Sequence, residues 1–161
     1  MATYTLVETV SKVLLEKGWM LTTAESCTGG GIAAVCTDLA GSSQWFERGF
    51  VSYSNQAKQD MLGVKKETLR EYGAVSEAVV AEMVRGALTH SRAQVAVAVS
   101  GIAGPTGGTP DKPVGTVCFA WMLSEGAPMV CTEHLDGDRA AVRAQTIERA
   151  LQGVLDVISG S

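Results

Sequence analysis

Apolar residues along this chain recur with two alternating periods. Spacings of three and four, as in Leu6, Val10 and Val13, predict amphipathic helices. Mostly apolar runs such as residues 94–99 (QVAVAV) predict strands covered on both faces. The pattern predicts helices over 6–17, 32–36, 55–62, 65–72, 77–88 and 139–158, and strands over 19–23, 46–54, 94–99, 115–123 and 129–135.

Polar residues mark where several of these helices begin. Thr5 with Glu8 fits a capping box for the first helix, and Ser76 and Asp138 can cap two later ones. Residues 124–128 are short enough to join the last two strands as a hairpin. Because strands and helices otherwise alternate, we predict an α/β protein: a single three-layer α/β/α domain over residues 1–161, with a mixed sheet of about five strands.

Composition narrows the class of protein. The chain has 161 residues, of which 46% are hydrophobic and 19% charged, which is typical of one globular domain rather than a disordered chain. The net charge of −4 disfavours a nucleic-acid partner. With neither a signal-peptide pattern nor an apolar run of membrane-spanning length, we expect a cytoplasmic protein with no membrane partner.

The four cysteines, Cys27, Cys36, Cys118 and Cys131, are expected to be reduced thiols, mostly in the core. A zinc site is not expected, because the sequence has no Cys-x-x-Cys pair and its two histidines are far apart. We therefore expect no metal.

Two glycine-rich segments, residues 24–31 and 100–108, each follow a predicted strand. Ligands of open α/β sheets bind beyond the carboxyl ends of strands, so the two segments predict a cleft. Neither contains the P-loop or the dinucleotide-binding motif. Main-chain N–H groups in such turns favour an anion, such as a phosphate or an oxyanion.

Ser26 is a candidate nucleophile in the first segment, although a serine at this position can simply cap the following helix. Lys58 is a candidate base if it is neutral, and otherwise an ordinary surface lysine. Cys27 remains an alternative nucleophile. His90 and His134 lie outside both glycine-rich segments and are weaker candidates for the base.

Arg139 and Arg143 are four residues apart and share one face of the last helix. They can grip a phosphate or a carboxylate, or they can be ordinary exposed charges.

Several motifs, in one order over nearly the whole chain, resemble those of the CinA C-terminal domain family. They are residues 23–30 (TAESCTGG), 41–43 with Phe46, 49–55 (GFVSYSN) with Lys58, 73–76 (GAVS), 100–105 (SGIAGP), 112–117 (KPVGTV), and 137–139 with Arg143. The chain is similar to the stand-alone form of the family rather than to its longer, two-domain members.

The resemblance implies a metal-free Ser/Lys amidohydrolase that converts nicotinamide mononucleotide (NMN) and water into nicotinate mononucleotide and ammonia, in pyridine nucleotide recycling. It implies no cofactor, and a small-molecule substrate as partner. Ser26 would be the nucleophile, Lys58 the general base and Tyr53 their support, while Arg139 would help to bind or polarise the substrate. The predicted substrate-binding residues are Glu25, Cys27, Thr28, Gly29, Gly30, Asn55, Ser100, Gly101, Ala103, Gly104 and Arg139.

Two other functions remain open at this stage. One is a non-catalytic binding or partner module, as in the association of longer CinA proteins with competence and DNA damage. The other is an amidase for a different carboxamide. A complete set of Ser26, Tyr53 and Lys58 favours the enzyme, since a binding module has no need of it. Homo-oligomer formation is also left open.

Overall fold

The computed structural model describes residues 2–160, which form six α-helices, one short 3₁₀ helix and a five-stranded sheet. The helices are α1 (Ala2–Lys17), α2 (Gly31–Thr37), α3 (Asn55–Leu62), α4 (Lys66–Tyr72), α5 (Glu77–Thr89) and α6 (Arg139–Ile158). The strands are β1 (Leu21–Glu25), β2 (Phe46–Val51), β3 (Val95–Gly101), β4 (Thr116–Leu123) and β5 (Met129–His134).

The sheet is mixed, with strand order β2-β1-β3-β4-β5. Strand β1 lies between β2 and β3 and is parallel to both. Strand β4 is antiparallel to both of its neighbours, β3 and β5, and forms the predicted hairpin with β5. Three parallel strands therefore end at the same edge of the sheet, which is where the two glycine-rich segments begin.

Helices cover both faces of the sheet, and β3 contributes side chains to the hydrophobic core on each face. Its Val95, Val97 and Val99 point into the core formed with α1, α2 and α6, whereas Ala96 and Ala98 face α3, α4 and α5. Strand side chains alternate between the faces, so the larger valines fill one interface and the small alanines allow α5 to lie close to the other. The predicted three-layer α/β/α architecture is confirmed.

Several predicted boundaries were wrong, among them the start of β1, which is Leu21 and not residue 19, and the end of β3, which is Gly101 and not residue 99. Helix α1 already begins at Ala2, so Thr5 lies within the helix and does not cap it. Strand β1 extends through Ala24 and Glu25, because Glu25 pairs with Val51 on one side and Val99 on the other. This two-sided ladder outweighs the weak strand preference of alanine and glutamate. Strand β2 ends at Val51, three residues earlier than predicted.

No helix within residues 2–160 is long and apolar enough to cross a bilayer.

Helix α5 packs against the end of α3 at a point where only glycine fits. A Cβ atom built on Gly86 would lie 2.7 Å from the carbonyl carbon of Leu62, and closer still to its oxygen. Main-chain atoms at the end of a helix cannot move aside as a flexible side chain can. Gly86 therefore sets the distance between α5 and α3, the helix that carries Lys58.

We predict that Gly86→Ala destabilises the fold by about 1–3 kcal/mol through overpacking, although alanine is the better helix former by about 1 kcal/mol. Gly126→Ala, in the β4–β5 turn, is the matched control, because its added Cβ would meet only ordinary contacts from 3.6 Å outward. Urea unfolding of both variants and of the wild type checks the prediction. A Gly86→Ala protein as stable as the wild type would contradict it.

Candidate active site

The site forms where the three parallel strands end. The chain leaves β2 on one side of β1 and returns as β3 on the other, so the end of β1 is a topological switch point, where open α/β sheets bind ligands. Ser26 is the first residue after β1, and its N–H donates to the carbonyl of Val99 at 3.1 Å. The sheet itself thus holds the main chain of Ser26.

Lys58 and Ser26 form a buried pair. The Lys58 Nζ lies 3.0 Å from Ser26 Oγ, within hydrogen-bond distance. It also donates to the carbonyl oxygens of Ser52 at 3.2 Å and Tyr53 at 3.3 Å. Lys58 is only 1% exposed and Ser26 7%. Buried lysines are rare in proteins, so this one calls for a specific role.

The local fold explains how Lys58 reaches the serine. Helix α3 begins at Asn55, and the Ser54 hydroxyl caps it by accepting from the N–H of Ala57 at 3.0 Å. Lys58 is the fourth residue of this helix. Because helical side chains tilt towards the N-terminus, its amine turns back to the carbonyls that precede the helix and to the end of β1.

Burial lowers the pKa of Lys58 from its ordinary value, and proximity to Cys27 opposes this effect. The contacts of Nζ also suit a neutral amine. Carbonyl oxygens can only accept hydrogen bonds, so those of Ser52 and Tyr53 would take its two N–H groups. The lone pair would then face the hydroxyl of Ser26, as a general base requires.

Cys27 follows Ser26 and lines the same cavity, but its thiol is poorly suited to attack. Burial raises the pKa of the Cys27 thiol to about 11, which keeps it protonated at neutral pH. The amine of Lys58 is instead directed at the hydroxyl of Ser26. Of the two candidate nucleophiles, the geometry favours Ser26. All four cysteines are free thiols, as predicted.

Glu25 supports the loop that carries Ser26. Its fully buried carboxylate accepts from the N–H groups of Ile32 at 2.8 Å and Ala33 at 2.9 Å, and from the Thr28 hydroxyl at 2.6 Å. From the end of β1, Glu25 therefore provides acceptors for main-chain N–H groups in the first turn of α2, which have no partner within the helix. The Ser26 hydroxyl does not cap this helix, whose N-cap position is Gly30, in the left-handed region at φ 101°.

Arg143 braces the same loop from α6. Its guanidinium donates to the carbonyl oxygens of Cys27 at 3.1 Å and Thr28 at 2.9 Å. Of the predicted binding residues, Glu25, Thr28, Gly29 and Gly30 thus lie in the supporting part of the loop. Arg143, considered above as a phosphate ligand, is committed to loop carbonyls.

The remaining predicted residues surround a cavity of about 290 Å³. They are Ser26, Cys27, Tyr53, Asn55, Lys58, Ser100, Gly101, Ala103, Gly104 and Arg139. Sequence reasoning missed five further lining residues: Ala74, Val75, Ile102, Thr106 and Gly107. Ala74, Val75 and Ile102 lie in motifs that carried the family resemblance, which was the signal available for them.

Tyr53 and Arg139 meet at the rim of the cavity. The Arg139 guanidinium donates to the Tyr53 hydroxyl at 3.2 Å and to the Gly104 carbonyl at 2.8 Å. Tyr53 contacts Lys58 through its main-chain carbonyl, while its side chain is 60% exposed. The phenol thus orients Arg139, and the main chain of the same residue orients the lysine.

The histidines lie elsewhere, with His90 following α5 beside a different cavity and His134 at the end of β5. Over residues 2–160, no group of three or more His, Cys, Asp or Glu side chains is arranged to hold a metal ion. The main-chain N–H groups of Ala103 and Gly104 have no acceptor within the same residues, although both line the cavity. The site thus combines a hydroxyl, an amine and free N–H donors.

Comparison with known proteins shows the family of this chain. The family model described as "CinA C-terminal domain" matches residues 3–158. The chain belongs to the CinA C-terminal domain family. This CinA domain is 57% identical to the nicotinamide-nucleotide amidohydrolase PncC of Escherichia coli K12 over 147 residues, covering 91% of this chain and 89% of that protein.

Longer relatives and solved structures match as well. A CinA-like protein of Akkermansia muciniphila is 54% identical over 134 residues, which cover 83% of this chain but only 32% of that protein. The crystal structure of the competence/damage inducible protein CihA from Agrobacterium tumefaciens superposes with a TM-score of 0.95 at 44% identity, covering 99% of this chain and 96% of that one. The predicted family membership is confirmed.

We predict that Glu25→Gln destabilises the protein by about 1–3 kcal/mol, because in either orientation the amide NH₂ would face a main-chain N–H donor, that of Ile32 or that of Ala33, where a carboxylate oxygen now accepts. Glu8→Gln, on the exposed face of α1, is the matched control and should unfold like the wild type. Urea unfolding monitored by circular dichroism measures both. If Glu25→Gln were as stable as the wild type, the supporting role of this carboxylate would be wrong.

Proposed function

We propose that this protein is a nicotinamide-nucleotide amidohydrolase, which converts NMN and water into nicotinate mononucleotide and ammonia. The main observation in support is the buried pair of Ser26 and Lys58, with 3.0 Å between Oγ and Nζ. The PncC name of a relative that is 57% identical over most of both chains supports the substrate. Amide hydrolysis needs a nucleophile, a proton carrier and an oxyanion site, and residues around this cavity suit all three roles.

The proposed reaction begins with acylation. Neutral Lys58 takes the proton of the Ser26 hydroxyl as Oγ attacks the carboxamide carbon of NMN. The resulting ammonium returns that proton to the leaving nitrogen, the C–N bond breaks, and ammonia departs. This leaves the nicotinoyl group as an ester on Ser26. Because the three contacts of Nζ are all oxygen atoms, the ammonium can donate to each while it carries the proton.

Deacylation repeats the same proton transfers with water. Lys58 removes a proton from a water molecule, whose oxygen attacks the ester carbon. The C–O bond to Ser26 breaks, and Lys58 returns the proton to Oγ. The product is released as the carboxylic acid, which loses its remaining proton to solvent, so that nicotinate mononucleotide carries a carboxylate in place of the carboxamide. We assign the free N–H groups of Ala103 and Gly104 to the oxyanion of both tetrahedral intermediates, since both residues line the cavity.

We assign Arg139 to substrate binding at the rim. Its guanidinium is held by Tyr53 and Gly104 and lies beside the cavity, where a cation can attract the phosphate of a mononucleotide. Asn55, Ser100 and Gly101 complete the proposed contacts. The net charge of −4 is no obstacle, because a phosphate site depends on local charge.

Two other functions of this site would give different experimental results. A non-catalytic partner module would gain nothing from a buried lysine at hydrogen-bond distance from a serine. An amidase for another carboxamide would share the chemistry, so the substrate is tested by ammonia release from NMN, NAD and nicotinamide.

We further propose that the chain acts as one cytoplasmic domain, in keeping with its four free thiols.

We predict that Ser26→Ala lowers kcat for NMN at least about a thousandfold while the protein stays folded, because the nucleophile is lost. Cys27→Ala is the matched control at the neighbouring position and should keep most of the activity. Coupled detection of ammonia measures turnover, and circular dichroism checks folding. An inactive Cys27→Ala enzyme beside an active Ser26→Ala enzyme would reverse the two roles.

The lowered pKa of Lys58 sets the expected pH dependence. The base must be neutral, so kcat/KM should rise as pH increases through an apparent pKa below that of an ordinary lysine. Lys58→Arg should be inactive, because guanidinium keeps its proton throughout this range. The pH–rate profiles of both proteins test this, with Lys65→Arg on the exposed surface as control. An active Lys58→Arg enzyme with the wild-type profile would place the base elsewhere.

A further inference from the structure

One wall of the cavity is a long loop whose middle part is exposed. Residues 102–115 join β3 to β4, and residues 102–107 supply five of the lining residues. Residues 105–111 of this loop are all exposed. Ala74 and Val75, in the connection between α4 and α5, also line the cavity. The width of the site therefore depends on what fixes the loop relative to that connection.

A hydrogen bond from Lys112 joins the loop to the end of α4, where the connection to α5 begins. The Lys112 Nζ donates to the carbonyl oxygen of Tyr72, the last residue of α4, at 2.6 Å. Within residues 2–160, this is the one hydrogen bond between residues 102–115 and residues 64–76. The carbonyl is one of those that the end of a helix leaves without a main-chain partner, and a cation suits it. Because the donor is charged, this hydrogen bond is stronger than a neutral one in the same place.

Residues next to the acceptor and residues next to the donor both favour this contact. Gly73, next to Tyr72, has a φ of 80°, and a Cβ built on it would lie 3.4 Å from the Lys112 Nζ. Glycine thus permits the turn and leaves room for the ammonium group. In the loop, the Lys112 N–H donates to the Thr109 hydroxyl at 3.0 Å, and the Thr109 N–H donates to the Lys112 carbonyl at 2.9 Å. These bonds tie the lysine firmly to its own loop.

We propose that Lys112 is a positioning residue that holds the loop wall at a fixed distance from Ala74 and Val75 and so prepares the cavity for the mononucleotide. The inference rests on the proposed function for its substrate.

Ser26 and Lys58 lie on other elements, at the end of β1 and on α3. Ala103 and Gly104, the assigned oxyanion donors, are buried at the start of the loop, where Arg139 holds the Gly104 carbonyl. Loss of the contact therefore leaves the reacting groups in place. Loss of the contact weakens substrate binding, because a mobile loop has to be ordered each time substrate enters.

The test compares Lys112→Met with Lys66→Met, which removes an exposed lysine from α4. Methionine keeps much of the unbranched stem but loses the donor. For Lys112→Met we expect KM for NMN to rise at least about fivefold, with kcat within about twofold of the wild type. Hydrogen–deuterium exchange without substrate should become faster in residues 102–113. Lys66→Met should match the wild type in both measurements.

An unchanged KM together with unchanged exchange in the loop would overturn the proposal. So would a fall in kcat at unchanged KM, which would mean that Lys112 acts on the chemistry. If wild-type protein left NMN intact, the proposed function would fail by itself. The exchange comparison would then still decide whether Lys112 fixes the loop, since it needs no substrate.

Discussion

The burial of one amine governs this site. Lys58 is removed from water, so its charged form is disfavoured. With the two N–H groups of the neutral amine on the carbonyls of residues 52 and 53, its lone pair would face Ser26. The same burial has the opposite consequence for the neighbouring thiol, because it raises the pKa of Cys27 and keeps that group neutral. In the proposed mechanism, a single environment thus favours Lys58 as the base and the Ser26 hydroxyl as the nucleophile, and it keeps the thiol protonated.

The supporting structure lies mostly outside the cavity. Glu25 anchors the loop after β1 to α2, and Arg143 braces that loop from α6. Gly86 lets α5 fix the end of α3, which carries the lysine. These contacts connect the position of Ser26 and Lys58 to the packing of both faces of the sheet. Changes far from the substrate are therefore expected to alter stability and geometry together.

Sequence patterns predicted the layers, the strand count and most helix ends, because capping residues such as Ser76 and Asp138 act locally. They failed for Glu25, since its place in β1 depends on pairing with strands distant in sequence. The pairing of Ser26 with Lys58 was expected from family resemblance, and only the folded chain gives its distance. Ala74 and Val75 were missed as lining residues, because small apolar side chains carry no chemical signal and their role comes from the loop opposite them.

The titration of Lys58 itself in the free enzyme tests most directly whether this residue is a neutral base for Ser26. Protein labelled with ¹³C at lysine Cε can be followed by NMR as pH is raised, with Lys58 assigned from the resonance missing in Lys58→Arg. We expect this resonance to titrate at a lower pH than those of the exposed lysines. A Lys58 that titrates together with them, or above them, would contradict the claim that burial provides a neutral base for Ser26.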